Sequence, residues 1–206
     1  GELSASAGTG TDGTTFQFSV TENNWLGRGI SLQSNLSLSE EKISGLLQVE
    51  NPNYNFTGNA VTAGVSISST DQTETTGYKS DRTGFNLGTS FEQYENLWFS
   101  PKINLQHETI EAESTASATI KKMDGNYFNS DFEYALTLDK RDRSFRPTEG
   151  YRTSFIQTLP LIQDSSSIMN GINFSTYHDF SEDVIGSLKF YGRTIHGVDD
   201  DVRLTN

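Results

Sequence analysis

Short segments throughout this chain alternate apolar and polar residues with a period of two. Phe16, Phe18 and Val20 form one such row, and Ile30, Leu32, Leu36 and Leu38 form another. Val61, Ala63, Val65 and Ile67 follow, then Phe85, Leu87 and Phe91, then Leu97, Phe99, Ile103 and Leu105. Phe132, Tyr134, Leu136 and Leu138 come next, with Ile172 and Phe174 after them. Successive side chains of a strand point to opposite faces, so each segment has one apolar and one polar face. The polar positions are mostly Ser, Thr, Asn, Gln and Gly. Many such strands in one chain predict a sheet that turns its apolar face outward and its polar face toward water. The expected fold class is therefore all-β, an antiparallel transmembrane β-barrel of outer-membrane type.

Composition supports that reading where periodicity alone does not decide. Apolar residues are 33% of the 206 residues, below the roughly 45–50% of a soluble domain, a figure that also counts Gly. A soluble sandwich needs more apolar side chains to fill the space between its sheets. Aromatics stand at 11%, whereas disordered chains are poor in them. A barrel with a hydrated lumen needs only an outer apolar band. No apolar run approaches the ~20 residues of a membrane helix. The formal net charge of −12 argues against a nucleic-acid partner, because phosphate contacts need clustered Lys and Arg. Most acids fall between the strands, at Glu40–Glu41, 108–113, 182–183 and 199–201, and read as solvated loops.

The pattern places strands near 2–8, 14–22, 30–39, 43–50, 60–69, 82–91, 97–109, 129–139, 151–159, 168–178 and 184–196. The first is the weakest, since its apolar face is only Leu3, Ala5 and Ala7. Connections at 23–29, 51–54, 92–96, 144–150 and 181–183 are compact, while 71–81 and 111–126 are long and polar. Outer-membrane barrels pair short periplasmic turns with longer external loops. The first strand is accordingly expected to enter from the periplasm. Pro147 presets φ and Gly150 accepts a positive φ, which specifies the turn before 151. Single-chain bacterial barrels close with an even strand number, so eleven strands read as an unfinished sheet. No signal peptide is recognisable at Gly1–Ser4, and the chain is expected to begin downstream of its true N-terminus.

Several turn motifs, taken in order, carry a family resemblance. They are Gly8-Thr9-Gly10-Thr11-Asp12-Gly13, Asn24-Trp25-Leu26-Gly27-Arg28-Gly29, Asn51-Pro52-Asn53-Tyr54, and the run from Asp139 to Gly150. Together they resemble the barrel domain of the BamA family, whose members fold and insert outer-membrane β-barrels in Gram-negative bacteria. The resemblance covers essentially all 206 residues. It implies that residues 1–206 are a partial outer-membrane β-barrel domain, about eleven strands of an expected sixteen. The periplasmic POTRA domains and the C-terminal strands would lie outside it. Two positions depart from the family pattern, Asn53 after Pro52 and Arg146 before Pro147, and both read as drift within turns.

The resemblance also implies a role for the first strand. In this family it forms one side of a lateral gate, whose edge would here be Glu2, Leu3, Ser4, Ala5, Ser6, Ala7 and Gly8. An open strand edge presents N–H and C=O groups that template another strand; the bland alternative is a fraying terminus. The turn residues singled out are Asn24, Trp25, Leu26, Gly27, Asn51, Pro52, Asp142, Arg143, Pro147, Thr148 and Gly150. Trp25 and Leu26 read as an interfacial anchor or as local packing, and Trp98, Phe99, Tyr94 and Phe91 as part of an aromatic girdle. The charges at Arg141, Asp142, Arg143 and Arg146 suit either a periplasmic contact or a turn held by an Asp–Arg pair, and the second reading is preferred. His107, His178 and His196 have no ligand-like spacing, and the chain has no cysteine, so neither a metal nor a cofactor is expected. No catalytic motif appears, and no enzymatic activity is expected. The expected partners are outer-membrane lipid, client β-barrel proteins and accessory lipoproteins of the assembly machine. The alternatives are a TamA-like factor, a two-partner secretion transporter, a passive porin-type barrel, and a soluble extracellular β-sandwich or adhesin.

Overall fold

The computed structural model describes residues 1–10, 13–162, 167–181 and 184–198. Eleven strands follow one another: β1 (Glu2–Gly10), β2 (Gly13–Trp25), β3 (Ile30–Leu38), β4 (Lys42–Asn51), β5 (Ala60–Gln72) and β6 (Tyr78–Tyr94). Then come β7 (Leu97–Ala112), β8 (Gly125–Asp139), β9 (Gly150–Ile162), β10 (Ser167–Ser181) and β11 (Val184–Gly197). A 3-10 turn, Tyr54–Phe56, and a one-turn helix α1, Ala118–Lys121, interrupt them. All eleven strands belong to one sheet in sequence order, each next to its chain neighbours, with β1 and β11 at the two ends of that order. By compactness the chain falls into two units, Gly1–Gly88 with Asn104–Ser130, and Thr89–Ile103 with Asp131–Asn206.

In the first unit the register converts alternation into rows. Ala5, Phe18, Leu36, Gly45 and Ile67 stand opposite one another across β1 to β5, and Leu3, Val20, Ser34, Leu47 and Val65 form the next row of that face. The intervening rows are polar but for Leu46: Ser4, Ser19, Asn35, Leu46 and Ser66, then Ser6, Gln17, Ser37, Ser44 and Ser68. A one-residue slip would exchange the two faces, so the pattern holds the register. Gly45 leaves space that Ile67 occupies, since a Cβ there would meet the Ile67 side chain at 3.1 Å. Large apolar side chains remain exposed along the apolar face, including Phe18, Leu47, Ile67 and Leu87. Among the described residues the only buried hydrophobic ones are Ile110 and Ala116. A sheet that keeps its apolar face bare suits lipid rather than a soluble core.

Charge on the polar face is paired where it is buried. Glu108 is buried and accepts from Arg82 Nε at 2.8 Å and from Ser80 Oγ at 3.0 Å. The connection between β7 and β8 closes on Gly77, whose carbonyl accepts the Glu113 N–H at 2.7 Å. Ala116 packs there against a glycine at φ +79°, where a Cβ would sit 3.0 Å from the Ala116 Cα.

The second unit repeats the two-faced plan. Phe91 meets Phe99 edge-on at 5.7 Å, Phe99 lies 6.0 Å from Tyr134, and Tyr134 lies 6.3 Å from Phe155. Strand alternation sets Trp98 on the opposite face from Phe99, so it does not share this aromatic row. Gln157 and Asn170 interrupt the apolar face and are satisfied in place. The Tyr134 hydroxyl donates to Gln157 Oε1 at 2.9 Å, and Gln157 Nε2 donates to Asn170 Oδ1 at 2.7 Å. Lipid offers no partner, so such groups must find one within the protein. On the polar face Lys102 pairs with Glu133 at 2.8 Å, and the Thr137 and Ser154 hydroxyls lie 2.8 Å apart.

The strands run beyond the apolar segments that predict them. β6 begins at Tyr78 rather than near 82, β8 at Gly125 rather than 129, and β5 continues to Gln72 rather than 69. The connection expected at 71–81 is correspondingly only 73–77. Backbone pairing continues after the apolar band ends, where Lys79, Asp81 and Asn126 carry the strands into water. The two faces make a direct prediction for stability in a bilayer. Leu47→Arg, on the apolar face, is expected to cost about 2–4 kcal/mol near the bilayer midplane. The neighbouring Gln48→Arg, on the polar face, is expected to change stability by less than about 1 kcal/mol, both read by urea unfolding in liposomes.

Candidate functional site

β1 is paired with β2 from Glu2↔Thr21 to Gly10↔Gly13, and it stands first in the strand order. Its residues Glu2 to Thr9 are all exposed. The cross-strand contacts are small: Ala5 faces Phe18, Ala7 faces Phe16, and Gly8 faces Thr15. The Ser4 and Ser19 hydroxyls share a hydrogen bond at 2.6 Å. Cross-strand side-chain pairs contribute about 0.2–1 kcal/mol each relative to Ala–Ala, so alanine and glycine leave β1 held mainly by its backbone ladder. Beside it, the polar face of β1 to β5 forms a groove of about 640 Å³ lined chiefly by serine, with Gln17, Asn35 and Lys42. Small hydroxyl side chains leave that face open to water next to the edge strand.

The compact turns are built by side chains that replace missing backbone bonds. In the β2–β3 turn the Asn24 carbonyl accepts the Gly27 N–H at 2.9 Å, and Asn24 Oδ1 accepts the Gly29 N–H at 2.7 Å. Leu26 and Gly27 have φ of 56° and 68°; Trp25 pairs with Ile30 after a bulge. In the β4–β5 turn Asn51 Oδ1 accepts the Asn53 N–H at 3.1 Å. Asn53 Oδ1 in turn accepts the Gly58 N–H at 2.8 Å. Asn53, which reads as drift in the sequence, therefore has a definite part in its turn: an aromatic there could not make this bond. Pro52 opens the same turn.

The β8–β9 turn is clasped by Asp142. Its Oδ1 accepts the N–H groups of Thr148 at 2.9 Å and Glu149 at 3.1 Å, and its Oδ2 accepts the Thr148 hydroxyl at 2.8 Å. Arg143 Nε lies 3.2 Å from the same carboxylate. A second pair joins Arg141 to Asp139 through Nε at 2.8 Å and Nη2 at 2.6 Å. Arg146 takes a φ of 49° and lies 5.2 Å over the Phe145 ring. Pro147 leads into Thr148, and Gly150 closes the turn at φ +91°, where a Cβ would run into the Lys140 carbonyl. The turn's charges are thus largely spent on its own geometry.

The structure brings the β1 edge and the serine groove together within the first unit, and it holds the Asp142 clasp within the second. The three histidines fall on separate strands, β7, β10 and β11. Glu108 reads as a solvated loop acid in the sequence, yet it is buried within β7, where Arg82 and Ser80 satisfy it; the cations Lys189 and Arg193 on β11 carry no signal of their own in the sequence. Alternation parity assigns each of these to a polar face, but only strand register shows its neighbours.

The Asp142 carboxyl is lowered to about 2, first by the Thr148 hydroxyl and then by the backbone N–H groups of Glu149 and Thr148 and the charge of Arg143. The folded value lies below the ordinary Asp value of about 4. The clasp therefore stabilises fully above about pH 4 and is lost as pH falls through about 2. Carboxyl carbon shifts of Asp142, followed by NMR in detergent micelles, are expected to titrate near 2. Thr148→Val should move that midpoint upward by removing the leading donor.

A family model described as the Omp85 superfamily domain matches residues 2–205. Among solved structures, the chain is similar to the crystal structure of BamA from Haemophilus ducreyi lacking POTRA domains 1–3, with a TM-score of 0.67 and 17% identity. The match covers 96% of this chain and 40% of that one, so this chain spans less than half the length of the structure it resembles. At that identity the likeness speaks for the fold alone, that of a β-barrel. The match to the family model runs nearly end to end, and by it the chain belongs to the Omp85 superfamily.

Proposed function

We propose that residues 1–206 are part of the barrel domain of an outer-membrane insertase, which folds other β-barrels at the edge of β1. The observation that carries this reading is the edge strand itself. β1 ends the strand order and meets β2 mainly with alanine, serine and glycine, Leu3 opposite Val20 being its one large apolar pair. An incoming strand that adds to such an edge gains backbone hydrogen bonds that lipid cannot supply. The client then folds hairpin by hairpin, each new strand offering the next edge. No bond is made or broken, and no nucleotide or metal is required.

The surrounding roles follow from position. Outer-membrane lipid covers the apolar face, client barrel proteins meet the β1 edge, and accessory lipoproteins dock at the turns of the periplasmic end. Further barrel strands and periplasmic POTRA domains complete the molecule in this reading. Similarity to the BamA structure, whose chain this one covers by 40%, supports the family of activity.

Proline substitution separates the two edges of β1, because proline removes a backbone donor. Ser4 and Ser6 place their N–H groups on one side of the strand, and Ala5 and Ala7 on the other. One of the double proline variants therefore strips the open edge, and the other strips the β1–β2 ladder. In the full-length protein, the open-edge variant is expected to retain heat-modifiable barrel mobility yet lower the level of other outer-membrane proteins severalfold. Normal client levels and growth in both variants, with the barrel folded, would remove the insertase reading in favour of a passive pore. Loss of only a narrow subset of clients would point to a TamA-like factor.

A further inference from the structure

We infer that the polar face of β9 to β11 is a binding site for an acidic polypeptide segment lying along β10. In the register of these strands Arg152, Ser175 and Lys189 stand directly opposite one another. The next row is Ser154, Asn173 and Tyr191, and the one after it is Ile156, Gly171 and Arg193. Small side chains on β10, Ser175, Asn173 and Gly171, thus form a floor between Arg152 on β9 and the two cations Lys189 and Arg193 on β11. A cavity of about 380 Å³ lies over Ser175 and Asn173, lined by Arg141, Arg152 and Lys189 together with hydroxyl, amide and aromatic groups; no carboxylate lines it, and Arg193 stands one row beyond it.

Two of these charges share the Asp139 carboxylate, Arg141 closely and Arg152 at the limit of an ion pair, while those of β11 are not spent in this way. Arg152 reaches that carboxylate only at 3.7 Å and its side chain is 46% exposed. Among the described residues, neither Lys189 nor Arg193 has a carboxylate within ion-pair distance. In a chain with a formal net charge of −12, a local excess of cations on a face poor in acids is a specific complement to anionic ligands. Elsewhere on the polar faces the cations Arg82 and Lys102 are paired, with Glu108 and Glu133.

Dimensions favour a chain over a single small anion. Lys189 and Arg193 are four residues apart on one strand face, a separation of about 13 Å. One phosphate or carboxylate cannot reach both, whereas an extended peptide with acidic residues four positions apart can. Tyr191, between them and 62% exposed, offers a hydroxyl and a flat apolar surface to the intervening residue. Charge-assisted bonds to two carboxylates at this spacing would fix both the position and the direction of the bound segment.

The site rests on the polar face being open to water, not on the β1 edge, so it is tested by binding alone. The full chain in detergent micelles is titrated against a fluorescent Thr-rich peptide with two aspartates four positions apart, read by anisotropy. The aspartate peptide is expected to bind at least tenfold more tightly than its asparagine counterpart, and more weakly as salt is raised. Lys189→Gln with Arg193→Gln should reduce affinity about tenfold or more while the barrel keeps its heat-modifiable mobility. Charge reversal at both positions should abolish binding. Equal affinity of the two peptides, unchanged affinity in the double glutamine variant, or full displacement of the peptide by inorganic phosphate at low millimolar concentration would each overturn the proposal.

Discussion

The structure depends on the requirement that every backbone N–H and C=O within a bilayer have a partner inside the protein. Water satisfies unpaired groups at a soluble surface, but hydrocarbon does not, and each unsatisfied group costs several kcal/mol. A chain with too few apolar residues for a core can still be ordered by this rule, because the ladder rather than the core supplies the constraint. That is why Leu47, Ile67 and Phe85 are exposed without penalty, and why only Ile110 and Ala116 are buried among the described hydrophobic residues. The same rule governs side chains. Gln157 on the apolar face is tolerated because Tyr134 and Asn170 complete its hydrogen bonds.

Where the ladder must reverse, side chains take over the work of the backbone. Asn24, Asn53 and Asp142 each accept N–H groups that no strand partner reaches. These turns need positive φ at Leu26, Gly27, Arg146 and Gly150, and an anchored side chain holds the strained segment in place. The acidic loops at the other ends of the strands follow a different logic. Ser117 caps α1 by accepting the Ile120 N–H, and the loop returns to the sheet through Gly77. Tight turns fix register at one end, while the longer connections leave sequence freer at the other.

The fold was legible because period-two alternation is both local and redundant: Phe16, Phe18 and Val20 identify a strand face without any knowledge of the rest. Strand ends were less legible. Lys79, Ser80 and Asp81 read as loop, yet they pair, because pairing in water needs no apolar side chain. Trp98 reads by its type as part of the girdle with Phe99, whereas parity puts it on the other face. Asn53 looked like drift because a turn's use of one amide oxygen leaves no pattern in sequence. The cations Arg152, Lys189 and Arg193 lie far apart in the chain or on alternate residues, and only the β9–β10–β11 register makes them neighbours. Sequence thus carries which face a residue occupies, while register carries whom it meets.

The weakness of β1 becomes intelligible in the same terms. If lipid forbids an open edge, β1 must always be covered, and any exchange of partners replaces one set of backbone bonds with an equivalent set. The backbone then contributes nearly nothing to the choice between partners, and side chains decide it. Large cross-strand pairs such as Phe174 with Phe190, or Phe18 with Leu36, would bias the strand strongly toward one neighbour. Ala5, Ala7 and Gly8 offer little of that kind. A strand so poor in side-chain contacts can release and accept partners at low cost, provided the ladder is never left bare. In the proposed role the least distinctive strand of the sheet is therefore the one suited to exchange, and its small residues are the reason.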